Sequence, residues 1–310
     1  MRSLARLLGL RRGRRFGDYH ISRPVHEGEK SLVFEGRNVH DDSSVAVKLY
    51  KPAYDRVAKH ACRKYAIPSE GRLGMMLTPP EAELSEDHPI VRTLAHGREF
   101  GSWTGCHYIV MEFVEGVHLK TLAIQKHSLL REKLPEIAAG ICRALKILHD
   151  RQLVFRDVNA ANVLVRMDGR LKLIDLGFVA PVGIAFTERA GTPSYISPEQ
   201  IRAEELTPAT DVYSFGVLLY EMLTGRLPFT SSLPSDTPEQ TIQRRNDIMQ
   251  KHLSEDPPEL TQEEAQAAGA FCAIVQRCTQ KDPSKRFPDA GAVLEALQEA
   301  AGAKDTSQPD

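Results

Sequence analysis

Apolar and polar positions alternate in three stretches near the start of the chain, Tyr19 to Val25, Leu32 to Arg37 and Val45 to Tyr50, each bounded by Gly, Asp or Ser. That period of two, rich in β-branched residues, predicts strands with one buried face, the first two flanking a turn. A further stretch, Tyr108 to Gly116, predicts a buried strand running into a glycine-marked connector. The period then changes. Ile137, Ile141, Leu145 and Leu148 recur at helical spacing and predict a helix over Leu134 to His149. Asp211 to Gly225 is apolar on nearly all sides after its acidic start, as a helix through the middle of a core would be, with Gly225 as its C-cap. Ser231 to Gln240 is polar and proline-bearing and predicts a loop, followed by a helix near Ile242 to Leu253.

Composition adds limits. A chain of 310 residues with 42% hydrophobic content can bury a substantial core, in one large domain or two lobes. The formal net charge of -1 predicts no polyanion-binding surface, hence no nucleic-acid partner. No window holds the roughly 18 uninterrupted apolar residues of a membrane span. The five cysteines show no Cys-x-x-Cys spacing, which fits reduced thiols in a cytoplasmic protein better than a disulfide scaffold or a zinc site. The first fifteen residues carry six arginines among leucines, with no acid before Asp18. Residues 1–17 therefore read as a basic arm. An exposed, solvated arm is the simpler expectation; peripheral contact with an anionic membrane and organelle targeting are the alternatives. Residues 302–310 carry too little apolar material to pack and predict a frayed tail.

Candidate chemistry concentrates in Phe155-Arg156-Asp157-Val158-Asn159-Ala160-Ala161-Asn162, followed by Asp175-Leu176-Gly177. An Arg-Asp pair, an Asn five residues after that Asp, and a second Asp ahead of a glycine supply a base and two oxygen ligands for metal. This pattern resembles the catalytic core of the eukaryotic-type (Hanks-type) serine/threonine protein kinases. Val45-Ala46-Val47-Lys48 resembles the family's lysine-bearing strand, and Gly191 to Glu199 its peptide-docking segment. The order of these pieces, over roughly residues 18 to 298, is the family's own.

The resemblance implies an α+β, two-lobed fold, with a small β-rich N-lobe over 18–114 and a larger, mainly helical C-lobe over 115–301. It implies ATP and Mg²⁺ as cofactors and protein substrates as partners. Asp157 would accept or orient the hydroxyl proton, Asn162 and Asp175 would ligate Mg²⁺, and Lys48 would bind the α- and β-phosphates. Thr192 would touch Asp157 and bias the acceptor toward serine or threonine. Gly28 would bring a backbone amide to phosphate. The Glu112 carbonyl and Val114 amide would hold adenine, with Met111 limiting the pocket and Val33, Ala46 and Leu164 sandwiching the ring. Glu199 would pair with Arg286, Asp211 would anchor the catalytic-loop backbone, and phosphate on Thr187 would pair with Arg156.

For the carboxylate partner of Lys48, Glu70, Glu81 and Glu83 compete. Glu70 is preferred, because Leu73, Met76 and Leu77 would form an apolar stripe behind it. Gly71 and Gly74 each weaken that helix by roughly 1 kcal/mol relative to alanine, which predicts a short or mobile element. Tyr54 to Tyr65 is basic and predicts an additional helix to which the resemblance gives no role. Departures from the family pattern are the single glycine, Gly28, of its turn, with His26 and Ser31 at the other two positions, and Asn159 where a phosphate-contacting lysine is usual. Asparagine can donate a hydrogen bond to phosphate but cannot neutralise it, so a slower enzyme is expected, or one in which another cation substitutes. The competing class is a pseudokinase scaffold. Retention of Lys48, Asp157, Asn162 and Asp175 favours the enzyme.

Overall fold

A computed structural model describes residues 14–78, 87–99, 106–187 and 191–305. The chain divides into two compact units, residues 1–115 and 116–310.

Among its described residues the first unit is an antiparallel sheet with two helices. Its strands are β1 (Arg15–Phe16), β2 (Tyr19–Glu27), β3 (Ser31–Asn38), β4 (Ser44–Tyr50), β5 (Thr93–Glu99) and β6 (Cys106–Glu112), in the order β1-β2-β3-β4-β6-β5. Helices α1 (Pro52–Lys64) and α2 (Glu70–Leu77) lie in sequence between β4 and β5. Alternation along β4 sorts its side chains: Val45, Val47 and Leu49 enter a core with Phe16, Ile21, Leu32, Phe34 and Val110. Ala46, Lys48 and Tyr50 take the opposite face. Residues directly opposite in antiparallel strands share a face, and the register sets Val33 opposite Lys48, and Met111 opposite Ala46. The arm expected through residue 17 is shorter than its charge suggested. Arg15 and Phe16 pair with His20 and Tyr19, and the Phe16 ring is fully buried. Burying that ring outweighs the pull of the neighbouring arginines toward solvent. Residues 1–13 of the arm lie outside the described residues.

In the second unit β7 (Val117–His118), β9 (Val163–Val165) and β10 (Leu171–Leu173) form one small sheet, and β8 (Leu153–Val154) and β11 (Ala180–Pro181) another. The helices are α3 (Leu119–Ile124), α4 (Ser128–Glu132), α5 (Leu134–His149), α6 (Pro198–Arg202), α7 (Pro208–Thr224), α8 (Pro238–Ser254), α9 (Gln262–Ala268), α10 (Phe271–Cys278) and α11 (Ala290–Asp305). α5 spans the residues that its periodicity predicts. α7 is buried nearly throughout, as its unbroken apolar sequence requires. α8 starts earlier than its apolar positions indicate, because Thr237 and Gln240 form a capping box around Pro238 inside the stretch expected to be a loop. α11 runs to Asp305, into the expected tail, carried by alanines that favour helix. Among the described residues no helix is long and apolar enough to cross a membrane.

Candidate active site

In the first unit the site is built from β4 and α2. Lys48 Nζ lies 2.8 Å from Glu70 Oε1 and 3.0 Å from Oε2, with both side chains 6% exposed. Tyr50, two residues along the same face of β4, donates its hydroxyl proton to Glu70 Oε2, and its ring centroid lies 5.4 Å from Lys48 Nζ. A buried ion pair needs further hydrogen bonds to offset desolvation, and Tyr50 supplies one. Tyr50 in turn packs against Tyr54 of α1, with ring centroids 5.5 Å apart. Glu81 and Glu83 lie outside the described residues.

The stripe expected behind Glu70 is rotated. Leu73 and Leu77 are buried, but Met76 is 63% exposed, and its expected place in the interface is taken by glycines. A Cβ on Gly74 would stand 2.0 Å from Thr93 Oγ1, and one on Gly71 would stand 2.5 Å from His96 Cβ. These glycines are where α2 lies closest to β5, so they secure its seat rather than simply loosening it.

The Gly28 amide donates to the Ser31 carbonyl at 3.0 Å and closes the hairpin. The His26 ring lies over the same spot, its Nε2 3.3 Å from where a Gly28 Cβ would be. Val33, Ala46 and Met111 share the sheet face of Lys48. The Glu112 amide bonds the Arg92 carbonyl at 3.0 Å, and Val114 follows β6 half-buried at the end of the unit.

In the second unit the chemistry sits on the loop between β8 and β9. Asp157 Oδ1 accepts from the Thr192 amide and hydroxyl, both at 2.8 Å, and Oδ2 accepts from Asn162 Nδ2 at 3.0 Å. The loop is held from below. Asp211, fully buried on α7, accepts from the amides of Phe155 (2.7 Å) and Arg156 (2.8 Å) and from His149 Nε2 (3.0 Å). His149 Nδ1 accepts from the Ala290 amide at 3.1 Å, which places the ring proton on Nε2. Sequence reading missed His149 and Tyr50. Each carried a signal: a polar residue on the buried face at the end of a helix, and a phenol at the same-face position after the lysine.

Arg156 and Asp175 both adopt φ of 68°, a left-handed conformation that non-glycine residues hold only when their surroundings impose it. Gly191, at φ of 115°, passes over the loop with its would-be Cβ 3.0 Å from the Arg156 carbonyl, and this close approach delivers Thr192 to Asp157. Arg156 stacks on Phe186, 3.5 Å from guanidinium carbon to ring centroid, next to exposed Thr187; Arg189 lies outside the described residues. Glu199 and Arg286 form a bidentate pair at 2.7 and 3.0 Å. Arg286 gives its remaining donors to the carbonyls of Ala209, Gln280 and Lys281, so all five N–H groups are satisfied where water is excluded. Leu164 is the half-buried centre of β9.

Asn159 differs from its expected role. Its Nδ2 donates to the Asp157 carbonyl (2.9 Å) and Thr192 Oγ1 (3.1 Å), while Oδ1 accepts from the amides of Ala161 (2.9 Å) and Asn162 (3.2 Å). Both donors and both acceptor sites are occupied, and the side chain has no proton left for a phosphate.

A model of the protein kinase domain matches residues 19–299. The chain belongs to the protein kinase family. Its β-sheet unit and its larger helical unit correspond to the small and large lobes of that fold. This kinase domain is 29% identical over 284 residues, 90% of the chain, to the serine/threonine-protein kinase drp72 of Corynebacterium efficiens. It is 33% identical over 281 residues, 88% of the chain, to a probable serine/threonine-protein kinase of Streptomyces coelicolor. Over 189 residues, 59% of the chain, it is 33% identical to the serine/threonine-protein kinase PknB of Mycolicibacterium smegmatis. These matches span 50%, 38% and 28% of the respective relatives, so the chain corresponds to half or less of their length.

Proposed function

We propose that this kinase domain transfers the γ-phosphoryl group of ATP to serine or threonine hydroxyls of protein substrates. The observation that carries the reading is the state of Asp157. A carboxylate offers about four lone-pair sites; Thr192 and Asn162 take three of them and leave one on Oδ2, where an incoming hydroxyl can place its proton. Phosphoryl transfer asks for this kind of fixed positioning rather than covalent chemistry.

The residues fit ATP and Mg²⁺. Asn162 turns its Nδ2 toward Asp157, which leaves its amide oxygen as a hard ligand, and Asp175 adds a carboxylate. Bound Mg²⁺ would neutralise charge on a nucleotide's phosphates. Lys48, kept in place by Glu70 and Tyr50, would add a positive charge, and the face of Val33, Ala46 and Met111 would receive the base. The free thiols of Cys62, Cys142, Cys272 and Cys278 support a cytoplasmic location.

The test is incubation with labelled ATP, Mg²⁺ and a generic basic protein, beside Asp157→Ala. Wild type is expected to label serine or threonine, Thr187 included, and the variant to fall by roughly 100-fold or more. Equal labelling in both samples would overturn the assignment.

A further inference from the structure

We propose that Asn159 is a positioning residue that fixes the Thr192 hydroxyl against Asp157, and that the residue at this position makes no contact with the transferred phosphate. The proposal rests on the kinase reading and deepens it. A threonine hydroxyl can rotate and can either donate or accept. Here Asn159 Nδ2 donates to Thr192 Oγ1 at 3.1 Å, so the hydroxyl proton is turned away from Asn159 and onto Asp157 Oδ1 at 2.8 Å. The same amide group donates to the Asp157 carbonyl, and its oxygen caps the 3-10 turn Ala160–Asn162 that carries Asn162. One side chain, 3% exposed, thus ties the loop bearing the base and the metal ligand to the segment bearing Thr192.

A lysine at this position would have three donors and no acceptor. It could not cap the amides of Ala161 and Asn162: the first, on an exposed residue, would be left to water, and the second would keep only the Asn159 carbonyl at 3.1 Å. Reinstating the family's cation is therefore expected to harm the loop rather than repair the enzyme. Aspartate is the informative replacement. It keeps the cap and so the turn, but sets an acceptor where Asn159 donates: against the Asp157 carbonyl, which retains its bond from Asn162 Nδ2, and against Thr192 Oγ1, where it competes with Asp157 for the hydroxyl proton.

The experiment measures kcat, the KM for ATP and thermal stability for Asn159→Asp, Asn159→Ala and Asn159→Lys, alone and with Thr192→Val. Asn159→Asp is expected to melt close to wild type yet lose roughly tenfold in kcat, with the KM for ATP within twofold. Asn159→Lys should be no faster than Asn159→Ala. In the Thr192→Val background Asn159→Asp should cost clearly less than it does alone, because the hydroxyl is gone and only the opposition to the Asp157 carbonyl remains. A kcat above wild type in Asn159→Lys, a raised KM for ATP with intact kcat, or additive losses in the double variant would each overturn the proposal. Should the wild type transfer no phosphoryl group, the kinase reading fails separately; the strut is then read by NMR, where Thr192→Val should shift and deprotect the Asn159 side-chain amide protons, and an unchanged signal refutes it.

Discussion

Tyr50 shows how much of the site rests on single atoms. Its hydroxyl is the third donor on Glu70, beside the two contacts from Lys48, and its ring fills the space between that pair and Tyr54. Tyr50→Phe keeps the ring and removes the donor. A net hydrogen bond to a charged group is worth about 1.5–3 kcal/mol, so this variant is expected to lose roughly that much in urea unfolding and to drop several-fold in kcat/KM for ATP. Unchanged values in both measurements would remove Tyr50 from the site. The pattern around Lys48 was legible because a buried lysine requires an anion, and the pattern around Asp157 because its spacing is specific. Tyr50 was not, since a tyrosine ending a strand is ordinarily core. Nor was the saturation of Asn159: a sequence states which groups can hydrogen-bond, while only coordinates show how many already do.

Whole elements were legible where periodicity or capping spoke clearly, as in α5 and α7, and less so where close packing set the terms. α2 is the instructive case. Its glycines read as helix weakeners, and by propensity alone Gly74→Ala should stabilise by roughly 1 kcal/mol. The new methyl, however, would meet both Thr93 Oγ1 (2.0 Å) and Thr93 Cβ (2.9 Å), which only a shift of helix or strand can relieve. Overpacking of this kind typically costs about 1–3 kcal/mol, so Gly74→Ala is expected to destabilise, with a lower urea midpoint and a weakened hold of Glu70 on Lys48. A raised midpoint would show that propensity wins. α1, whose role the sequence left open, is tethered through Asp55. This buried carboxylate bonds Lys59 on the same helix and His107 of β6, and these partners hold its pKa below the ordinary value although burial pushes it up.

At the scale of the molecule, the large unit carries a buried histidine that makes its stability sensitive to acid. His252 of α8 is hydrogen-bonded through Nδ1 to the Tyr213 hydroxyl at 2.9 Å and packs edge-on against Phe229, over whose ring the Lys281 ammonium lies. Burial, reinforced by the positive charge of Lys281, pushes its pKa down to about 3. The unfolded chain takes up this proton near pH 6.5, whereas the folded one does not, so stability is full above that pH and declines as pH falls toward 3. Glu221, whose pKa burial raises, works in the opposite sense, and comparison with a variant cancels it. Wild type should therefore lose more melting temperature between pH 7 and pH 5 than His252→Gln does; parallel pH profiles would contradict this.

Consider, finally, the order in which a ribosome delivers these parts. The β-sheet unit needs nothing synthesised after Glu115 to complete its ladders. The loop bearing Asp157 is different: it waits 55 residues for Asp211 to clamp the Arg156 amide, and the histidine that steadies Asp211 waits 141 residues for the amide of Ala290. A nascent chain thus displays every group required for phosphate chemistry long before it can hold them in working order, and a product terminated ahead of its last helix would possess the reagents without the bench.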